Sequence, residues 1–133
     1  MEKILLAYDG TPESRHALAT AAALCKAFGA TLTVVSVVPV HPGRTPIDPW
    51  DDREVHAQEL REARDLLREE GIEAQLIEPA GDPAKTIERV AENGAFDTIV
   101  LGSRGKGALG RFFQGSVSEH VVTHAQATVV VAR

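Results

Sequence analysis

Short apolar runs rich in β-branched residues take turns with longer stretches of helical periodicity from one end of the chain to the other, and few architectures accept that order. Lys3 to Tyr8 holds Ile4-Leu5-Leu6-Ala7, too short for a helix and apolar enough for a buried strand. Thr11 and Pro12 have the chemistry of an N-cap and the first helical residue. After them, Ala17, Leu18, Ala21, Leu24, Cys25 and Phe28 recur at helical spacing, and Gly29 stands where a C′ glycine belongs. Thr31 to Val38 is almost continuously apolar and β-branched, which predicts one strand buried on both faces.

Pro39 to Pro49 breaks the pattern. It holds Pro39, Pro42, Pro46 and Pro49 and has no periodicity, so a loop of about a dozen residues is expected, long enough to carry a role. A charged helix follows from about Asp52 to Glu70, with Leu60, Ala63, Leu66 and Leu67 inward and Gly71 as its stop. Ile72 to Ile77 sets Ile72, Ala74 and Leu76 against Glu73 and Gln75, the pattern of a strand near a sheet edge. Asp82-Pro83 opens a third helix with Ile87, Val90 and Ala91 inward and Gly94 at its end. Thr98 to Leu101 is a fourth strand, Gly102 to Gly115 a glycine-rich loop, Ser116 to His124 a fourth helix and Ala127 to Ala132 a fifth strand.

The resulting order, βαβαβαβαβ, argues for one α/β domain over residues 1–133, with a parallel sheet covered by helices on both faces. The last strand poses a problem, because Val129-Val130-Val131 at a sheet edge is an aggregation hazard. A second copy pairing through residues 127–132 in a symmetric homodimer removes it; a central or helix-covered strand is the alternative.

Composition narrows the function classes. The 133 residues are 44% hydrophobic and 25% charged with a net charge of −5, which suits a globular domain and lacks the basic footprint of a nucleic-acid binder. A single cysteine, Cys25, excludes an intramolecular disulfide and zinc sites built on several cysteines. The start Met1-Glu2-Lys3-Ile4 has no basic n-region, and no apolar run approaches the ~18 residues of a membrane span, so no membrane and a cytoplasmic location are expected.

The chemistry concentrates on the glycine loop. Glycines that expose backbone N–H groups, leading into a helix N-terminus, make an anion site, and Arg104, Lys106 and Arg111 add positive charge to an otherwise acidic chain. The Walker A pattern is absent. Gly105-Lys106-Gly107-Ala108-Leu109-Gly110 matches G-x-G-x-x-G, but it follows the fourth strand and no acidic strand end lies about 20 residues on. A different spacing fits better: Gly102-x-x-Gly105, nine residues, then Gly115-Ser116. With Asp9-Gly10-Thr11 after the first strand, Asp97-Thr98-Ile99-Val100-Leu101-Gly102 at the fourth and the closing valines, the whole chain resembles the universal stress protein family, in its ATP-binding branch.

That resemblance implies an open, Rossmann-like, five-stranded parallel sheet of order 3-2-1-4-5, of the adenine nucleotide alpha hydrolase-like kind, and a homodimer through the last strand. It implies that Ala7 and Asp9 line a nucleoside pocket, the Asp9 carboxylate accepting from ribose hydroxyls or the adenine amino group, and that Val37 meets adenine through its backbone. Leu101, Gly102, Arg104 and Gly105 would wrap ribose and phosphates, and Gly115, Ser116 and Val117 would give N–H groups to the phosphates, with Mg²⁺ or Mn²⁺ able to bridge them. Each residue also has a plain structural reading. Ser116-x-x-Glu119 is a capping box, Asp9-Gly10 a turn pair, and Cys25 a core residue. His120 and His124 stand at i, i+4, a metal-ligand spacing for which the sequence identifies no third ligand, so no metal site is expected. His16, His41 and His56 have no identifiable partner, and Trp50 adjoins the proline loop. The expected function is ATP-dependent regulation in a stress response. A slow ATPase or phosphotransferase, or a nucleotide-free dimeric interaction module, are the alternatives, and no residue is assigned a catalytic role.

Overall fold

The computed structural model describes residues 1–39, 53–103 and 116–133, with the Ser116 side chain left aside. In chain order the elements are β1 (Lys3–Ala7), α1 (Pro12–Phe28), β2 (Thr31–Val35), β3 (Val38–Pro39), α2 (Arg53–Glu69), β4 (Gln75–Ile77), β5 (Ala80–Gly81), α3 (Pro83–Asn93), β6 (Thr98–Gly102), α4 (Ser116–His124) and β7 (Thr128–Ala132). The main sheet has five strands, all parallel, in the order β4-β2-β1-β6-β7. Counting only its own strands along the chain, that is the expected 3-2-1-4-5 arrangement.

Period-two alternation along β1 sorts the core onto two faces. Ile4, Leu6 and Tyr8 face α1 and α2, where Ala17, Leu18, Ala21, Cys25, Leu60, Ala63 and Leu67 complete one apolar cluster. Leu5 and Ala7 face α3 and α4, where Ile87, Ala91, Val117 and Val121 complete the other. Each buried leucine or isoleucine contributes about 1.5–3 kcal/mol, so burial of this doubly covered sheet dominates the favourable side of folding. The caps follow the sequence. Thr11 accepts from Ser14 N, Asp82 accepts from Lys85 N at 3.1 Å, and Gly29 closes α1 at φ 66°, a left-handed conformation that strains side chains with a Cβ.

Three expectations change. Thr31 to Val38 is not one strand: β2 stops at Val35, and the chain then steps away from β1. Ser36 N donates to Ile77 O at 3.1 Å and Val38 N to Pro79 O at 2.8 Å, so Val38–Pro39 pairs with Ala80–Gly81 in a separate two-stranded parallel ribbon. Phe28, the last residue of α1, is 58% exposed although it keeps the helical register of the buried Ala21 and Cys25. On α2, His56 and Glu59 are buried along with the apolar stripe. As expected, β7 ends the sheet, with Val131 exposed, while Val129, Val130 and Ala132 pack partly against the clusters on the two faces. Of the proline loop, residues 40–49 lie outside the described residues, as does Trp50. No helix among the described residues is long and apolar enough to cross a membrane.

Candidate functional site

Every βα unit of a parallel sheet places the strand's carboxyl end and the next helix's N-terminus on the same side. β1 leads to a neighbour on one side and β6 to a neighbour on the other, so the chain direction diverges between them and leaves a crevice beyond their carboxyl ends. Asp9 follows β1 there, and Gly102 ends β6 there.

Asp9 is 2% exposed. Its Oδ1 accepts from Thr11 Oγ1 at 2.6 Å and Thr11 N at 3.1 Å, an Asx turn that leads the chain into α1. Thr11 Oγ1 in turn accepts from Ser14 N at 3.2 Å, and Ser14 Oγ donates to Thr11 O at 3.0 Å, so the entry to α1 is a closed polar unit. The other carboxylate oxygen, Oδ2, is buried and has no hydrogen-bond partner among the described residues. The turn reading therefore accounts for one oxygen of Asp9 and leaves the second unexplained. A buried acceptor without a donor costs about 1–3 kcal/mol, more when charged, unless something else satisfies it.

Gly102 is held by packing. A Cβ there would lie 2.9 Å from Glu13 C and 3.0 Å from Glu13 Cβ and O, so only glycine lets β6 meet the first turn of α1 this closely. Ala7, Val37, Leu101 and Val117 are all buried with their side chains in the α3–α4 core, which leaves only their backbone to face a ligand. Ser116 begins α4, with Glu119 in its first turn. Arg104, Gly105 and Gly115 lie outside the described residues, as do Lys106 and Arg111. The described part of the crevice thus brings together Ala7, Asp9, Leu101 and Gly102, and joins the last two to α4 through Ser103, whose carbonyl lies 3.4 Å from the donating Ser118 Oγ.

A buried polar cluster missed in sequence lies behind the Asp9 turn. Ser36 Oγ and His56 Nδ1 share a hydrogen bond of 2.7 Å, and His56 Nδ1 lies 3.7 Å from Glu59 Oε2. Glu59 Cγ sits 3.5 Å from where a Cβ on Gly10 would stand. His56 and Glu59 could have been found from spacing alone, since His56 precedes Leu60 by four residues and Ala63 by seven on α2.

The opposite end of the sheet carries a different set of groups. A cavity of about 410 Å³ opens between the C-terminal ends of α3 and α4, lined among others by Glu88, Glu92, Phe96, Asp97 and His124. None of the sequence-predicted site residues that the structure describes lines it. Beside it, His120 Nδ1 meets Glu88 Oε1 at 2.8 Å, a contact between α4 and α3 that helical spacing on α4 alone could not reveal.

Known proteins match this chain throughout. The model of the universal stress protein family matches residues 1–133. This chain belongs to that family. A universal stress protein of Thermus aquaticus is 38% identical over 135 residues, covering 98% of this chain and 97% of the relative. The solved universal stress protein UspA of Lactobacillus plantarum is 29% identical, with a TM-score of 0.76 over 99% of this chain and 97% of that one. The universal stress protein of Archaeoglobus fulgidus in complex with dAMP shares the fold at 24% identity, with a TM-score of 0.74 over 100% of this chain and 98% of that one. The family resemblance read from Asp9-Gly10-Thr11 and the Gly102 spacing is therefore upheld, together with the parallel five-stranded sheet it implied.

Proposed function

We propose that this universal stress protein family member binds an adenine nucleotide, ATP foremost, at the crevice between β1 and β6, and that occupancy regulates which partner it meets during stress. The observation that carries the reading is the buried Asp9 Oδ2, an acceptor with no donor among the described residues. A ribose hydroxyl or the adenine amino group supplies the missing donor. Ala7, Val37 and Leu101 offer backbone to base and ribose. Gly102, Arg104 and Gly105 wrap the phosphates, and Gly115, Ser116 and Val117 present N–H groups at the positive end of α4. Mg²⁺ or Mn²⁺ accompanies the triphosphate. The dAMP complex of the Archaeoglobus fulgidus relative supports an adenine nucleotide as the ligand class.

Regulation requires contacts that differ between nucleotide-bound and nucleotide-free states, and the triphosphate against loop and helix amides is that difference. The protein acts in the cytoplasm as a homodimer, a second copy pairing with the edge strand β7. Val131, 36% exposed there, makes the sharp test: Val131→Lys yields a monomer by analytical ultracentrifugation, and an unchanged dimer would place the interface elsewhere. For the nucleotide, calorimetry on protein stripped of co-purified nucleotide should give one ATP per chain with Mg²⁺ present. Absence of heat with ATP, ADP and AMP alike would overturn the reading.

A further inference from the structure

We propose that Glu88, His120 and His124 form a binding site for a divalent first-row transition ion, zinc being the type, at the end of the molecule opposite the nucleotide crevice. The three residues each offer one ligand-capable atom, and these atoms lie within 4.8 Å of one another. His120 and His124 stand one turn apart on α4, so their rings share a face, stacked at 4.1 Å between centroids with 24° between planes. Glu88 reaches the same point from α3.

The hydrogen bonds set the imidazoles up as ligands. The His124 Nδ1–H donates to the His120 carbonyl at 2.9 Å, and the His120 Nδ1–H donates to Glu88 Oε1 at 2.8 Å. In the neutral rings both lone pairs then sit on Nε2. A ring N–H held by a carbonyl or a carboxylate is the arrangement that orients metal-bound histidines and raises their basicity. Glu88 reaches the ion by releasing the His120 ring, so the ion pair of α3 with α4 and the three-ligand site are alternative arrangements of the same side chains. Zinc–nitrogen bonds of about 2.0–2.1 Å require ligand atoms roughly 3–4 Å apart, and ligand-capable atoms within 4.8 Å of one another approach that spacing. The exposed His124 ring and the His120 side chain, 35% exposed, are free to close the remaining distance.

Two nitrogens and one oxygen form a set for Zn²⁺, Ni²⁺ or Cu²⁺ and a poor one for Mg²⁺, which demands oxygen ligands. Glu88 and His124 also line the 410 Å³ cavity, together with Glu92 and Asp97. A metal held by three protein groups there faces an acidic hollow and keeps a coordination position open to water.

The competing reading is a plain ion pair, Glu88 with His120, tying α3 to α4. His124→Ala separates the two, because it removes a ligand and leaves that pair intact. The experiment titrates Zn²⁺ alone, without nucleotide, into the full chain by calorimetry, with Mg²⁺ as the contrasting ion and His16→Ala as the control for a surface histidine on α1. The expected result is one Zn²⁺ per chain in the native protein and in His16→Ala, a loss of at least tenfold in affinity in His124→Ala and in Glu88→Gln, and no Mg²⁺ binding at this site. Circular dichroism of the metal-free variants checks that they remain folded. Absence of Zn²⁺ binding in the native chain, or equal affinity in His124→Ala, would overturn the proposal.

Discussion

Two aspartates mark the two ends of the sheet, and they are opposites. Asp97 precedes β6 at the amino end, is exposed, and uses both oxygens: Oδ2 accepts from Glu2 N at 2.7 Å and Lys3 N at 3.0 Å, and Oδ1 accepts from Thr98 Oγ1 at 2.7 Å. It latches the start of the chain onto the central strands. Asp9 follows β1 at the carboxyl end, is buried, and uses one oxygen among the described residues. A carboxylate in open water needs no protein partner, whereas a buried one left half satisfied is a standing cost. The protein therefore satisfies the aspartate that has least need of it and leaves the needy one short. A satisfied acidic group reads as architecture, and the unbonded Asp9 oxygen beside the crevice is where the proposed nucleotide would place its donor.

The largest expected effect belongs to the packing that shapes the ligand end. Gly102→Val drives a branched side chain into the Glu13 backbone and should destabilise the fold by about 1–3 kcal/mol, read as a lower melting temperature, with ATP binding lost. A variant as stable as the native protein would show that β6 and α1 can separate at little cost. Asp9→Asn comes next. It keeps an oxygen for Thr11 and converts the orphan acceptor into a donor, so ATP affinity should fall by roughly tenfold or more, given about 1.5–3 kcal/mol for a hydrogen bond to a charged group. Calorimetry checks it.

Asp97→Asn should do the reverse, costing less than about 1 kcal/mol of stability and leaving ATP affinity as it was. It also carries the smallest effect, a pH dependence. The Thr98 hydroxyl and then the Glu2 N–H hold the Asp97 carboxyl below the ordinary range. Its folded pKa lies below the unfolded value of about 3.9, so its contribution is complete above that value and is lost as pH falls through the folded pKa. Denaturant midpoints should therefore separate native protein from Asp97→Asn at neutral pH and converge at strongly acidic pH. A constant gap would remove the charge from the explanation.

The same contrast explains what was legible in the sequence. Local chemistry was readable: Thr11-Pro12 and Asp82-Pro83 cap helices because their neighbours within one turn suffice, and Gly29 takes φ 66° as a C′ glycine does. The strand order came from the family resemblance, and the helical and strand periods supported the layers around it. The break after Val35 was hidden because β-branched residues continue past the point where β1 stops offering a partner. Asp9 was singled out, but its division into one bonded and one unbonded oxygen depends on how the turn closes in space. Ser36 and His56 are twenty residues apart, and Glu88 and His120 thirty-two, so only the packed sheet brings each pair together.

The most direct test compares thermal melts of the native protein, Asp9→Asn and Asp97→Asn, each stripped of nucleotide and measured with and without ATP and Mg²⁺. A ligand at about 100 times its Kd stabilises by about 2.7 kcal/mol, a shift of several degrees in a domain of this size. The account predicts that shift for the native protein and for Asp97→Asn, and little or none for Asp9→Asn. An equal shift in all three would contradict the claim that the orphan oxygen of Asp9 is the nucleotide's acceptor.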